Sequence, residues 1–179
     1  FATWVQELRL RVESVAAAFT YDGKPAVQVV IRDITERLNA EKLARESAER
    51  YRQLVELSPD AIYVLSDKKF VYVNGATLRL YGAADTAELL GKPILERVHP
   101  DDLETVQARL RQVAENGGAP VPPLEARHVR LDGSVIWVES IGAGLTYDGK
   151  PAIHAMVRDI TERKRAEQAL RDSEAKFDS

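Results

Sequence analysis

The heptapeptide "TYDGKPA" occupies residues 20–26 and returns unchanged at residues 146–152. Its Asp-Gly pair supplies two adjacent positions that tolerate positive φ, which a two-residue turn between antiparallel strands requires. The flanking residues are β-branched and apolar: 11–19 and 26–32 around the first turn, 134–146 and 152–158 around the second. Each heptapeptide therefore predicts a hairpin whose register the turn sets. Tyr147 and Lys150 read as turn residues rather than as binding groups.

The surroundings match as well. Residues 11–37 laid on residues 137–163 without gaps give 17 identities in 27, among them "VES" (12–14 and 138–140) and "RDITER" (32–37 and 158–163). A weaker likeness continues in "RESAERY" (45–51) and "RDSEAKF" (171–177). An offset of 126 positions is one small domain plus a linker. The organisation expected is the closing strands of an incomplete upstream repeat (1–34), a linker helix (35–57), a complete domain (58–160) and an exit helix toward a further domain (161–179). "ELR" at Glu7-Leu8-Arg9 looks like the counterpart of Glu125-Ala126-Arg127, but at an offset of 118, so eight residues including a turn are absent near Leu10 and Arg11. Either the upstream repeat is shortened there or a hairpin loop has been left out, and omission is the favoured reading. So small an upstream sheet would need cover from another chain, strand exchange being one form of it.

Composition narrows the function classes. At 179 residues and 45% hydrophobic content the chain can build a real core. A net charge of −3 with interspersed signs leaves no basic footprint for nucleic acid. No apolar run reaches membrane-spanning length, so a cytoplasmic chain without membrane contact is expected. Cysteine is absent, which removes disulfides, thiolate metal sites and cysteine nucleophiles together.

Residues 35–58 contain no Gly or Pro, and Ala40, Ala44, Ser47, Tyr51 and Leu54 recur at alternating spacings of four and three. Ala166, Leu170, Ser173 and Phe177 repeat the phase in the second copy. The pattern reads as a coiled-coil seam, weak because Ala and Ser fill much of it, with an ordinary amphipathic linker helix as the alternative. Between the helices the order is two short strands (61–66 and 69–74), short helical pieces broken by Gly, and a helix ending near Glu115. Asp101 and Glu104 are the expected capping box of that helix, and Gly117-Gly118 its stop. Strands at 124–131, 134–146 and 152–158 follow. Strands at both ends with helices between describe an α+β domain built on one antiparallel sheet.

"YRQLVELSPDAIYVLSD" (51–67), "VYVNGATLRLYG" (71–82), "LLGKPILERVHPDD" (89–102) and "RLDGSVIWVES…DGKPAIHAMVRDITERKRAE" (130–167) together resemble the PAS sensory domain with its PAC motif. The resemblance implies a five-stranded antiparallel sheet, helices on one face enclosing a pocket, and a signalling role in tandem arrays with effectors such as histidine kinases or diguanylate cyclases. It also implies that Asp159-Ile160-Thr161 is a junction passing sheet strain to the exit helix, with Asp33 and Thr35 doing the same upstream. Each Asp can equally cap the helix that follows.

The resemblance allows the cofactors to be checked one by one. Flavin photochemistry in this family needs a Cys and a Gln on the last strand; the chain has no Cys, and Val157 stands at the second position. Haem-binding members usually supply a His from the longer helix or its neighbour; residues 101–115 have none, and His99 sits in the "HPDD" turn, while His128 lies on a strand. His154 shares a strand face with Met156 and Arg158, opposite the core set Ile153, Ala155 and Val157. No metal cluster or nucleophile–base pair emerges, so no enzyme activity and no cofactor are expected. What remains is an apolar pocket expected to be lined by Ile62, Val64, Val71, Val73, Leu78, Leu90, Ile94, Leu103, Leu110, Ile136, Val138, Ile153 and Val157, either filled by its own side chains or holding a small apolar ligand. Trp137 is expected to face outward, in a dimer contact or under the helix that precedes Ser58. A sensory module in a homodimer is the leading reading; a ligand-free dimerisation and spacing module is the alternative, and a haem or flavin redox sensor stands behind both.

Overall fold

Both Asp-Gly pairs close two-residue turns in the computed structural model, which describes residues 10–177, with side chains to Ser173. Asp22 and Gly23 take φ of 49° and 72°, and Asp148 and Gly149 take 47° and 74°. The turns pair Tyr21 with Lys24 and Tyr147 with Lys150, which sets the register of every pair behind them. The first hairpin joins strands β1 (Val12–Tyr21) and β2 (Lys24–Asp33), and the helix α1 (Thr35–Glu56) follows.

The chain divides into two compact units, residues 1–53 and 54–179. In the first unit, β1 and β2 form a two-stranded sheet whose Val15, Phe19, Val29 and Ile31 are all exposed. The segment Glu7-Leu8-Arg9 lies outside the described residues. Arg11 leads from Leu10 into β1, its N–H donating to Thr35 Oγ1 at 2.8 Å.

The second unit carries β3 (Ala61–Ser66), β4 (Lys69–Val73), the short helix α2 (Gly75–Tyr81), three 3₁₀ turns, α3 (Leu103–Glu115), β5 (Leu124–Val129), β6 (Val135–Tyr147), β7 (Lys150–Asp159) and the exit helix α4 (Thr161–Phe177). Its five strands form one antiparallel sheet in the order β4-β3-β7-β6-β5. Strand alternation sends Ala61, Tyr63, Leu65, Ile136, Val138, Ala155 and Val157 into one core with Phe70, Leu80, Tyr81, Leu89 and Ile94. The helix α3 packs on β6 and β7 where β6 carries glycine: a Cβ at Gly142 would meet Val113 Cγ2 at 3.3 Å. No helix among the described residues is long and apolar enough to cross a membrane.

The start of α3 departs from the expected capping box. A 3₁₀ turn (Pro100–Asp102) takes up the expected cap Asp101, and Asp102, which stands at the cap position instead, makes no side-chain cap bond. That carboxylate is held by Arg127 instead, whose backbone N–H donates to Oδ2 at 2.7 Å and whose guanidinium donates at 2.9 and 3.1 Å. A charge-assisted fork outcompetes a single backbone donor.

The fully buried Asn74 joins four segments. Its Oδ1 accepts from Ile62 N (3.0 Å), Thr77 N (2.9 Å) and Thr77 Oγ1 (2.9 Å), so it caps α2 and holds β3 together. Its Nδ2 donates to Val55 O (2.9 Å) and Asp60 O (3.2 Å) at the end of α1. Truncation strands several buried groups at once, so Asn74→Ala is expected to cost roughly 3 kcal/mol. Urea denaturation measures it, and a loss under about 1 kcal/mol would show that water replaces the amide.

Candidate functional site

Beneath α3 the sheet and the helix leave an inner cavity of about 40 Å³, lined among others by Tyr63, Leu65, Leu110, Val113, His128 and Ile153. That is room for a few waters at most. Leu65, Leu110 and Ile153 also line an open groove of about 550 Å³, which runs between the second half of α3 and the β6–β7 hairpin. The groove and the cavity thus share a wall, and Lys68, Asp67 and Arg111 are among the groove's other lining.

One wall is polar. Tyr81, fully buried, bonds His128 Nδ1 at 2.8 Å, and the two rings lie 12° from parallel. Burial raises Tyr81 well above the ordinary tyrosine range, with Tyr63 beside it adding to the effect. Burial also pushes Tyr63 up to about 12. His128 moves the other way, burial lowering it to about 4. A hydroxyl that keeps its proton faces an imidazole that stays neutral, so the bond joins two uncharged groups, and the imidazole tautomer sets which of them donates. Only the pairing of β5 with β6, and of Val98 with His128, brings the ring over Tyr81.

The expected pocket residues divide in a physically simple way. Val73, Ile94, Ile136, Val138 and Val157 belong to the core cluster, and Leu78, Leu110 and Ile153 pack against it. Leu103 packs against a smaller cluster of Val98, Val106 and Ala126. Ile62 and Val64 are buried but pair with Met156 and His154, so they belong to the opposite sheet face, and Tyr63 and Leu65 take the inward places. Val71 falls at the register shift where Val64 pairs with Tyr72 and Leu65 with Phe70; this bulge hands the inward place to Phe70. Leu90 is exposed and its neighbour Leu89 is buried, because the 3₁₀ turn ending at Glu88 rotates Leu89 inward.

At the far end of the sheet, Asp159 Oδ1 accepts from Thr161 N at 2.8 Å, and Asp159 Oδ2 meets Arg130 Nη2 at 3.3 Å. Trp137 closes the junction through its backbone: its O accepts from Ile160 N at 2.9 Å and its N–H donates to Thr161 Oγ1 at 3.0 Å. The indole is half-buried on the outer face, where its neighbours are Arg127 of β5 and Lys164 of the exit helix. The upstream junction repeats the bond from Thr35 N to Asp33 Oδ1, at 2.9 Å. Ala40, Ala44, Ser47, Tyr51 and Leu54 lie exposed along α1, as do Ala166, Leu170 and Ser173 along α4, while the side chain of Phe177 lies outside the described residues.

A family model described as the PAS fold matches residues 49–160. The chain belongs to the PAS family. The PAS domain of an HTR-like protein from Haloarcula marismortui superposes with a TM-score of 0.57 at 32% identity, covering 68% of this chain and 98% of that one. Sporulation kinase A of Bacillus subtilis is 30% identical over 92% of this chain and 27% of its own length. The two-component sensor PprA of Pseudomonas aeruginosa is 28% identical over 83% of this chain and 16% of its own length. The chain thus spans about a quarter or less of these curated relatives, and its likeness to sensor kinases lies in the sensory PAS part.

The buried imidazole makes a pH prediction. Its folded value of about 4 lies below the ordinary 6.5, so as pH falls the unfolded chain takes the proton first. His128 contributes fully above pH 6.5, and that contribution is lost toward pH 4, by roughly 3 kcal/mol. His154, lowered by burial as well, adds a smaller slope of the same sign. The Asp60 and Asp102 carboxylates, held down by Arg158 and Arg127, act only below the ordinary 3.8. Urea midpoints at pH 7, 5.5 and 4.5 should fall in the parent chain, and most of that fall should vanish in His128→Gln, whose amide keeps a hydrogen-bonding partner for Tyr81. Equal slopes in both chains would contradict the assignment.

Proposed function

We propose that residues 58–160 form a sensory module that converts a change in the cavity under α3 into a movement of α4. The relay passes through Asp159-Ile160-Thr161 to an effector further along the same polypeptide. One observation carries the reading: Trp137, whose backbone holds both Ile160 and Thr161, sits on β6 between the core residues Ile136 and Val138. A change in the core moves that strand, and the exit helix is bonded to it. The occupant is a small apolar molecule admitted through the groove, with no resident cofactor. The likeness to sensor kinases supports a phosphotransfer effector and a cytoplasmic setting. The exposed seams of α1 and α4 support a homodimer, with neighbouring PAS and effector domains as the other partners.

A cavity of about 40 Å³ also favours a second reading, a ligand-free dimerisation and spacing module. Native mass spectrometry separates the two: added mass on each chain supports the sensor, and a bare dimer supports the spacer.

Gly142→Ala imitates an occupied cavity, because the new methyl must push Val113 and α3 outward by a few tenths of an ångström. The absence of cysteine allows clean spin labelling at Lys69→Cys on β4 and Ala169→Cys on α4. In labelled chain diluted with unlabelled chain, Gly142→Ala should shift the interspin distance by about 2 Å or more, and adding Asp159→Ala should remove the shift. An unmoved exit helix would sink the relay.

A further inference from the structure

We propose that Trp137 is a second latch on the exit helix, separate from the Asp159 junction, tying the first turn of α4 to the N-terminus of α3. The inference deepens the relay reading and rests on it. Two cations stand over the indole: Arg127 Cζ lies 5.6 Å and Lys164 Nζ 5.3 Å from the ring centroid. Arg127 is itself anchored by the fork from Asp102 and by Asp101 at 3.2 Å, and these are the residues that lead into α3. Lys164 is anchored by Glu125 of β5, which also accepts from Arg163 at 2.7 Å. The contacts therefore run without a gap from the start of α3 through Arg127, Trp137 and Lys164 into α4. The side chains of Asp102, Lys164 and Arg127 are only 20%, 25% and 29% exposed, which strengthens both the ion pairs and the cation–π contacts over their surface equivalents.

The upstream repeat supplies an internal comparison. Ile34 N donates to Arg11 O at 2.8 Å and Arg11 N to Thr35 Oγ1 at 2.8 Å, the same backbone closure that Trp137 makes with Ile160 and Thr161. Yet Arg11 stands in the place of Trp137, and Leu38 in that of Lys164. Arg11 offers no ring face, and Leu38 no cation to stand over one. The junction thus forms without the latch, and the latch is an addition confined to the downstream copy. Its consequence is specific: a displacement of the N-terminus of α3, the helix that roofs the cavity, alters how firmly the first turn of α4 is held.

Amide exchange in the intact chain reads this at two matched positions. Lys164 N donates to Ile160 O at 2.9 Å, and Leu38 N donates to Ile34 O at 3.0 Å. Trp137→Leu should speed exchange at position 164 about tenfold, and Lys164→Met, which threatens no core packing, should do the same within a factor of about three. Arg11→Leu should leave Leu38 within about twofold. Asp102→Asn should speed exchange at Lys164 in the parent chain and add nothing in Trp137→Leu, which is the mark of a connected path in a double-mutant cycle. Unchanged exchange in Trp137→Leu and Lys164→Met overturns the latch. So does an Asp102→Asn effect of equal size with and without Trp137. If the exchange effects hold while Gly142→Ala fails to move α4, the latch stands and the relay falls, so the two ideas fail separately.

Discussion

The register of the β6–β7 hairpin is the constraint on which the sensory unit depends. Two residues at positive φ, Asp148 and Gly149, pair Tyr147 with Lys150, and every pair back to Val138 and Asp159 follows. Because side chains alternate, this register puts Ser140 opposite Val157, Gly142 opposite Ala155 and Gly144 opposite Ile153 on the face toward α3, and leaves Ile141 and Met156 on the other. A slip of one residue would turn the glycines outward and drive bulkier side chains against Val113. It would also move Trp137 away from Ile160 and Thr161, and the exit helix would lose its attachment.

The interior enclosed by that register is apolar in bulk and polar at two chosen points, and each is satisfied in a different way. Asn74 spends both ends of its amide on backbone groups and on Thr77, so it acts as a structural rivet. Tyr81 and His128 satisfy each other and remain neutral, because burial shifts both away from the charged form. Of these groups, only His128 lines the cavity.

Much of the fold was legible because it is written in local chemistry. Asp-Gly turns, β-branched runs and the break at Gly117-Gly118 locate the strands and α3 without reference to anything distant. The misplaced site residues have non-local causes. Val71 lost its inward place to Phe70 because a bulge shifts the pairing of β4, and Leu89 displaced Leu90 because a short 3₁₀ turn follows no simple period. Asp101 lost the expected helix cap because a 3₁₀ turn carries the chain through it, so α3 begins two residues on, at Leu103.

The sequence by itself determined the repeat, the two hairpins and their turns, the order of strands and helices, and the PAS family that these motifs mark. Turn chemistry and side-chain periodicity act over a few residues, so one chain suffices to read them. Tertiary structure alone decided that Tyr81 meets His128 across 47 positions, that Trp137 lies between Arg127 and Lys164, and that the cavity is as small as it is. Those outcomes depend on how strands pair and how closely a helix approaches a glycine. Such distances are set by packing between segments far apart in the chain, and no local pattern encodes them.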